Sequence, residues 1–330
     1  QARLVFDEDG AGPGAAALYV GGYFSTAGGA SANQVAKWDG SHWSALGSGP
    51  QMFVKALAAA DLDGPGPNPS RLYAGGSVLS PGQPAVSVWS GTTWSALAGL
   101  TGSLDALIEF DADGPGPSNP VLVAGGVLTV AGQPVRVAAW NGQQWSALGT
   151  LPGYEAESLA VFDEDGAGPN PARLFAGGYI TNTIKRWDGV SWTDVGGGFG
   201  GSDVYALTVF DEDGAGPAAP ALYAGGWFFY THAPPFPSVT VTRIAKWSGS
   251  TWSALGSGMS YDVRALAVCD EDGDGPRTPG LYAGGRFTIA GGMSSNFIAR
   301  WGCGDLPICY PNCDGSTLAP VINVADFICF

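Results

Sequence analysis

Short apolar runs alternate along the chain with clusters of Gly, Pro, Asp, Asn and Ser, and no stretch carries the spacing of an amphipathic helix. The runs recur in a fixed order. Ala206 to Phe210 is followed by an acidic turn, then by a second run, Leu222-Tyr-Ala-Gly-Gly226, with counterparts at Leu72 to Gly76, Leu122 to Gly126, Leu174 to Gly178 and Leu281 to Gly285. A loop of variable length leads to a third run ending in Trp38, Trp89, Trp140, Trp187, Trp247 or Trp301. A two-residue turn such as Asp39-Gly40 or Asn141-Gly142 then leads to a fourth run holding Trp43, Trp94, Trp145, Trp192 or Trp252. Such dipeptides favour the positive φ of tight hairpins. The acidic turn, Asp-x-Asp-Gly-x-Gly-Pro, begins at Asp7, Asp61, Asp111, Asp163, Asp211 and Asp270, at spacings of 54, 50, 52, 48 and 59 residues. A period near fifty marks a repeat architecture.

Four short antiparallel strands per repeat make a sheet too small to bury its own faces. Six such sheets arranged radially bury one another, which predicts an all-β fold: a six-bladed β-propeller of four-stranded antiparallel blades over residues 1–301, followed by a short Cys-rich extension at 302–330. The double glycine closing the second strand, an aromatic after it and a Trp further on resemble kelch-type propeller repeats. The chain departs from kelch in placing Trp where Tyr is usual and in carrying the acidic turn. The sixth repeat stops at Trp301 without a fourth strand, and the first begins inside its first strand, which reads as a processed or trimmed end.

The paired tryptophans are five residues apart across a hairpin, and packing within and between blades accounts for them. Blade topology puts the acidic turns and short hairpins on one face and the variable loops on the other. The distance from double glycine to third-strand Trp runs 16, 13, 14, 9, 21 and 16 residues, and variable loops on a rigid scaffold are where binding usually sits. The longest, Trp227 to Pro237, offers Trp227, Phe229, Tyr230, His232 and Phe236 as ligand-binding candidates, able to stack a sugar ring or anchor a protein partner. The alternative is that this loop covers its own blade.

Composition narrows the partners. Lys plus Arg total 14 against 29 Asp plus Glu, a net charge of -15, so nucleic acid is not an expected partner. Of the acidic residues, 17 lie in the six turns. No run of 18 apolar residues spans a membrane. Four of five cysteines, Cys303, Cys309, Cys313 and Cys329, crowd the tail and read as disulfides of an exported protein.

The chemistry on offer is metal binding rather than catalysis. The only histidines, His42 and His232, are far apart in sequence, and no nucleophile elbow, zinc-protease or phosphate-loop motif occurs. Kelch-like copper radical oxidases need more histidines and a Tyr-Cys pair. The sixth turn, with Asp270, Asp272 and Asp274, has the opening half of an EF-hand-type calcium loop. The other turns keep two aspartates each: Asp7 and Asp9, Asp61 and Asp63, Asp111 and Asp113, Asp163 and Asp165, Asp211 and Asp213. Calcium takes six to eight oxygens, so carbonyls or water would complete each site. The alternative is an Asx turn with the carboxylate capping backbone N–H groups.

In the tail, Asn312-Cys-Asp314-Gly315 and Ile322-Asn323-Val-Ala-Asp326-Phe327 resemble half of a dockerin-like calcium repeat of secreted bacterial proteins, which implies Asn312, Asp314, Asn323 and Asp326 as ligands. Four extra residues separate the halves, and Tyr310 stands where the family has its first Asp. The expected function is that of an exported, non-enzymatic binding or structural module at the cell surface or matrix, calcium-stabilised, engaging a protein or glycan or a second copy of itself. The alternative is a carbohydrate-active enzyme or lectin working near Trp227.

Overall fold

The computed structural model describes residues 2–8, 10, 15–64, 69–114, 116–166, 168, 170–181, 183–214, 219–231, 238–270 and 278–302. Every regular element among them is a β-strand, and the sheets are antiparallel and curled, an arrangement compatible with a β-propeller. The first sheet pairs Ala2–Phe6, Ala17–Gly21, Val35–Trp38 and Trp43–Ala45 in chain order. The second repeats this with Met52–Ala60, Arg71–Val78, Val86–Trp89 and Trp94–Ala96. The third has Leu100–Phe110, Val121–Val130, Gln133–Trp140 and Trp145–Ala147, and one pairing, Ser103 with Ser77, joins it to the second. The fourth contains Gly153–Phe162, Arg173–Ile180, Ile184–Trp187 and Trp192–Asp194; the fifth, Phe199–Phe210, Ala221–Thr231, Ile244–Trp247 and Trp252–Ala254. The sixth has three strands among the described residues: Val263–Cys269, Gly280–Gly285 and Ile298–Trp301.

The chain divides into two compact units, Gln1–Leu159 with Gly189–Trp192, and Ala160–Asp188 with Thr193–Phe330. In the first unit the core is built from Tyr19, Val35, Met52, Leu72, Ala74, Leu100, Leu104 and Leu122; in the second, from Phe175, Phe199, Leu222, Tyr223, Phe228, Ile244 and Val263. Ala17–Gly21 of the first sheet alternates buried with half-buried positions, whereas in the second to fifth sheets the second strand is buried on both faces, as Leu72 to Gly76 are. That explains runs of small and apolar residues where a half-exposed strand would alternate.

The two glycines closing each second strand do different work. A Cβ on Gly225 would meet Val263 Cγ1 at 2.6 Å, and one on Gly75 would meet Leu104 Cδ2 at 2.7 Å, so the first glycine lets the next sheet's first strand approach. A Cβ on Gly226 would collide with the carbonyl oxygen of Asp203 in its own sheet, and one on Gly285 with that of Asp262. Opposite these second glycines the first strands bulge, leaving Lys55, Asp105, Tyr205 and Arg264 without a register partner. A bulge re-aims its extra side chain out of the sheet pattern.

The tryptophans are in register pairs, Trp38 with Trp43, Trp89 with Trp94, Trp140 with Trp145 and Trp247 with Trp252, at centroid distances of 5.2–5.5 Å. The fourth-strand indole also reaches back one sheet: Trp94 Nε1 donates to Leu46 O at 2.9 Å and Trp252 Nε1 to Val195 O at 3.2 Å. The variable segments are more regular than their composition implies. In the first and sixth repeats they contain two-residue hairpins, Thr26–Ala27 with Ala30–Ser31 and Ile289–Ala290 with Met293–Ser294. In the fifth, the second strand runs on past its double glycine to Thr231, so Trp227, Phe229 and Tyr230 lie on a strand rather than in a loop. Pairing with Phe199 to Asp203 extends it, and Phe228 fills the core between them, stacked on Phe199 at 4.1 Å.

Candidate ligand-binding site

The acidic turns close on themselves through hydrogen bonds. In four of them the first aspartate accepts the amide two residues on: Asp63 N to Asp61 Oδ1 (3.3 Å), Asp113 N to Asp111 Oδ1 (3.2 Å), Asp165 N to Asp163 Oδ1 (3.2 Å) and Asp213 N to Asp211 Oδ1 (3.3 Å). This is Asx-turn geometry. Asp113 Oδ2 also accepts Ser118 N at 3.2 Å, and Asp165 Oδ2 accepts Asn170 N and Nδ2. Burial raises the Asp113 pKa, but these bonds outweigh it and hold the carboxyl below its usual range; the Asn170 bond does the same for Asp165. Burial pushes Asp61 upward. Asp113 Oδ1 is buried and accepts no hydrogen bond among the described residues. Among the described residues no three His, Cys, Asp or Glu side chains converge as a metal group. Asp7 and Asp270 lie within the described residues; Asp9, Asp272, Asp274, Asn312, Asp314, Asn323, Asp326, His232, Phe236, Cys303, Cys309, Cys313 and Cys329 lie outside them.

The residue between the two aspartates has the longer reach. Glu8 accepts Lys37 Nζ at 2.7 Å from its own sheet and Trp89 Nε1 at 3.2 Å from the next. Glu164 accepts Arg186 Nη1 and, at 2.9 Å, Trp247 Nε1. Glu212 accepts Lys246 Nζ (2.6 Å), Tyr223 Oη (2.6 Å) and Trp301 Nε1 (3.0 Å). Each glutamate thus ties the third strand of its own sheet to a third-strand tryptophan elsewhere in the array. Repeats two and three carry Leu62 and Ala112 at this position, and there the basic partner is replaced by Val88 and Ala139. The hairpin turns are equally self-contained: Asp39 Oδ1 accepts the amides of His42 (2.7 Å) and Ser41 (2.8 Å), which lowers its pKa to about 2. His42 is exposed there, its Nδ1 2.8 Å from Ser41 Oγ.

At the other end of the strands, in the second unit, arginines and aromatic rings gather. Arg243 precedes the third strand of the fifth sheet and is buried, with its guanidinium 4.7 Å from the Trp227 ring, 4.4 Å from Phe229 and 6.0 Å from Tyr261. Its Nη1 donates to Met259 O at 3.1 Å, and its Nε has no partner among the described residues. Its φ is 64°, a left-handed value costing a non-glycine residue about 1–2 kcal/mol. The equivalent Gln34, Thr183 and Phe297 share it, at 62°, 59° and 68°, so the conformation belongs to the repeat: each carbonyl accepts the N–H of the second glycine. What is peculiar to Arg243 is the side chain placed there.

Asp262, fully buried, organises the neighbouring basic groups. Its carboxylate accepts Arg264 Nε at 2.6 Å, Arg286 Nε at 2.9 Å and Arg286 Nη2 at 2.8 Å. Burial alone raises the Asp262 pKa; the hydrogen bonds from Arg286 and Arg264 overcome it and hold the group ionised, while Asp262 raises that of Arg286. The guanidiniums also sit over rings, Arg286 5.0 Å from Tyr261 and Arg264 4.1 Å from Tyr205. Both stay accessible, with side chains 58% and 48% exposed.

Of the expected ligand-binding residues, Trp227 and Phe229 therefore join this cluster, and Phe229, Tyr230 and Tyr261 are exposed. Arg243, Tyr261, Asp262, Arg264 and Arg286 were not singled out by sequence. Arg286 directly follows a double glycine, as Trp227 does, and that shared offset was the available signal. No protein-family model matches the chain, and no curated protein sequence matches it either.

Proposed function

We propose that the chain is an exported, non-enzymatic module, a kelch-like six-bladed propeller that binds a glycan or protein at the cell surface through the arginine–aromatic cluster of its second unit. Six registered repeats with double glycines and tryptophan hairpins support the propeller, and the cysteine-rich, dockerin-like tail supports export. One observation carries the binding role: two exposed guanidiniums are fixed by a buried carboxylate beside exposed rings. Groups ordered before binding lose little entropy on it. Asp262, the carboxylate inside the cluster, is wholly occupied by arginines and is a poor general base. The lectin reading places binding at this same site. Arrays of glycans and surface proteins test it: retention that Trp227→Ala or Tyr261→Ala abolishes at unchanged Tm is expected, and blank arrays would remove the reading.

Calcium in the acidic turns is a second reading, favoured by the buried, unpartnered Asp113 Oδ1 next to Asp111. Calorimetric scans with calcium and with chelator are the test. An unchanged Tm with no metal by elemental analysis would sink it.

A further inference from the structure

Three of the chain's 14 basic residues, Arg243, Arg264 and Arg286, meet in one cluster, against two local carboxylates, Asp203 and Asp262. The cluster is locally positive by one charge in a chain of net charge -15. The carboxylates are committed: Asp262 to two arginines, and Asp203 Oδ2 to Tyr205 Oη at 3.0 Å. Guanidinium capacity is left over. Arg264 binds Asp262 through Nε alone and Arg286 through Nε and Nη2, so both Nη atoms of Arg264 and Nη1 of Arg286 have no hydrogen-bonding partner among the described residues. A free edge of a guanidinium is a planar pair of donors that matches a carboxylate fork to fork.

The rings set the remaining chemistry. Tyr261 is 41% exposed, lies 4.9 Å from Trp227 and carries Arg286 over its ring; Phe229 is 38% exposed and 5.4 Å from Trp227. An aromatic face is electron-rich, so it attracts the slightly positive C–H surface of a sugar ring and the edge of another aromatic. A planar anion fork next to such faces asks for a carboxylate on a ring with an apolar face. The charge of the whole chain limits how many carboxylates the ligand can bring: a dense polyanion meets the repulsion of -15, whereas one acidic residue meets mainly the local positive field.

Resting on the binding role proposed above, we infer that the cluster of Arg264, Arg286 and Tyr261 recognises a carboxylate-bearing pyranose, a uronic acid residue, on an otherwise neutral glycan. The free guanidinium edges take the carboxylate. Tyr261, with Trp227 and Phe229 behind it, takes the ring. Arg243 stiffens the aromatic wall from beneath. Because the attraction is short-range and the surrounding field repulsive, affinity changes little with added salt, unlike that of a basic protein for a polyanion.

Titration calorimetry on the full chain decides it, using a glucuronate-terminated tetrasaccharide, its glucose-terminated counterpart and a version bearing a sulfate in place of the carboxylate. The expected result is that the uronate ligand binds at least about tenfold more tightly than the neutral one and more tightly than the sulfated one, with Arg264→Gln and Arg286→Gln each bringing the uronate-to-neutral ratio to within about twofold of unity. Equal binding of uronate and neutral ligands overturns the inference and leaves the binding role standing. Tighter binding of the sulfated ligand overturns the carboxylate assignment. Binding of none of the three by folded protein removes both. If an arginine variant fails to fold, the wild-type ratio still decides.

Discussion

Trp301 Nε1 donates to Glu212 Oε1 at 3.0 Å, across 89 residues of chain. The same carboxylate holds Lys246 and the buried Tyr223, so a single side chain fastens the third strand of the fifth sheet to the last strand of the sixth. It is half-buried, and hydrogen bonds to a charged group in such a place contribute about 1.5–3 kcal/mol each, net of solvation. Glu212→Gln therefore lowers the stability of the second unit by about 2 kcal/mol. Trp301→Phe, which keeps a ring and loses one donor, costs about 1.5 kcal/mol for the bond plus a packing loss. Chemical denaturation followed by fluorescence measures both, and a loss below about 0.5 kcal/mol for Glu212→Gln would reduce the contact to an ordinary surface pair.

Acid should release this link in a defined direction. Burial raises the Glu212 pKa, but the bonds from Lys246, Tyr223 and Trp301 hold it below the ordinary value. A depressed carboxyl pKa adds stability that is complete above the unfolded value, about 4.3, and lost as pH falls through the folded one. The Tm gap between wild type and Glu212→Gln should be full at pH 7 and close below about pH 4. A gap constant down to pH 3 would mean that the charge plays no part.

Repeats two and three test the same device by its absence. In the second repeat Leu62 and Val88 replace the glutamate and the basic residue, and Leu62 packs against the core of the first unit. Leu62→Glu alone introduces an unpaired, partly buried carboxylate and destabilises. Adding Val88→Lys should recover about 1 kcal/mol beyond the sum of the single changes. Additive changes in a double-mutant cycle would show that the Glu–Lys pairing in the other repeats is incidental.

The first glycines predict a contrast. Gly225→Ala drives a methyl into Val263 and should cost about 2 kcal/mol. Gly284 is the counterpart in the sixth sheet, and a Cβ there meets nothing within 4 Å among the described residues. Gly284→Ala should stay within about 0.5 kcal/mol of wild type, or stabilise by restricting the unfolded chain. Equal losses at the two positions would contradict the packing role.

Much of this was legible in the chain. Strand order, turn positions and the tryptophan pairs follow from periodicity because each repeat faces the same packing problem. The Glu8–Lys37, Glu164–Arg186 and Glu212–Lys246 pairs were also legible by aligning the repeats, since Leu62 with Val88 and Ala112 with Ala139 change together. The aspartates around them look like metal ligands and mask the pairs, whereas four of the turns spend an aspartate on their own amides. The arginine cluster was less accessible. Arg243, Asp262 and Arg286 are scattered through 44 residues of loop and strand, and only the curl of two adjacent sheets brings them together. Trp227 stands in the longest variable segment, and nothing local says that its strand continues to Thr231.

The bulge opposite the second glycine has a further consequence. Lys55, Asp105, Tyr205 and Arg264 fill the same slot with a cation, an anion, a phenol and a guanidinium, and the ladder that follows each of them runs in unbroken register. A side chain outside the register is released from the demands of strand pairing. Each of these four repeats therefore offers one address where mutation can explore new chemistry while the fold is copied faithfully around it. A gene built by duplication could diversify its rim one residue at a time, and a laboratory library confined to these addresses should keep most of its members folded.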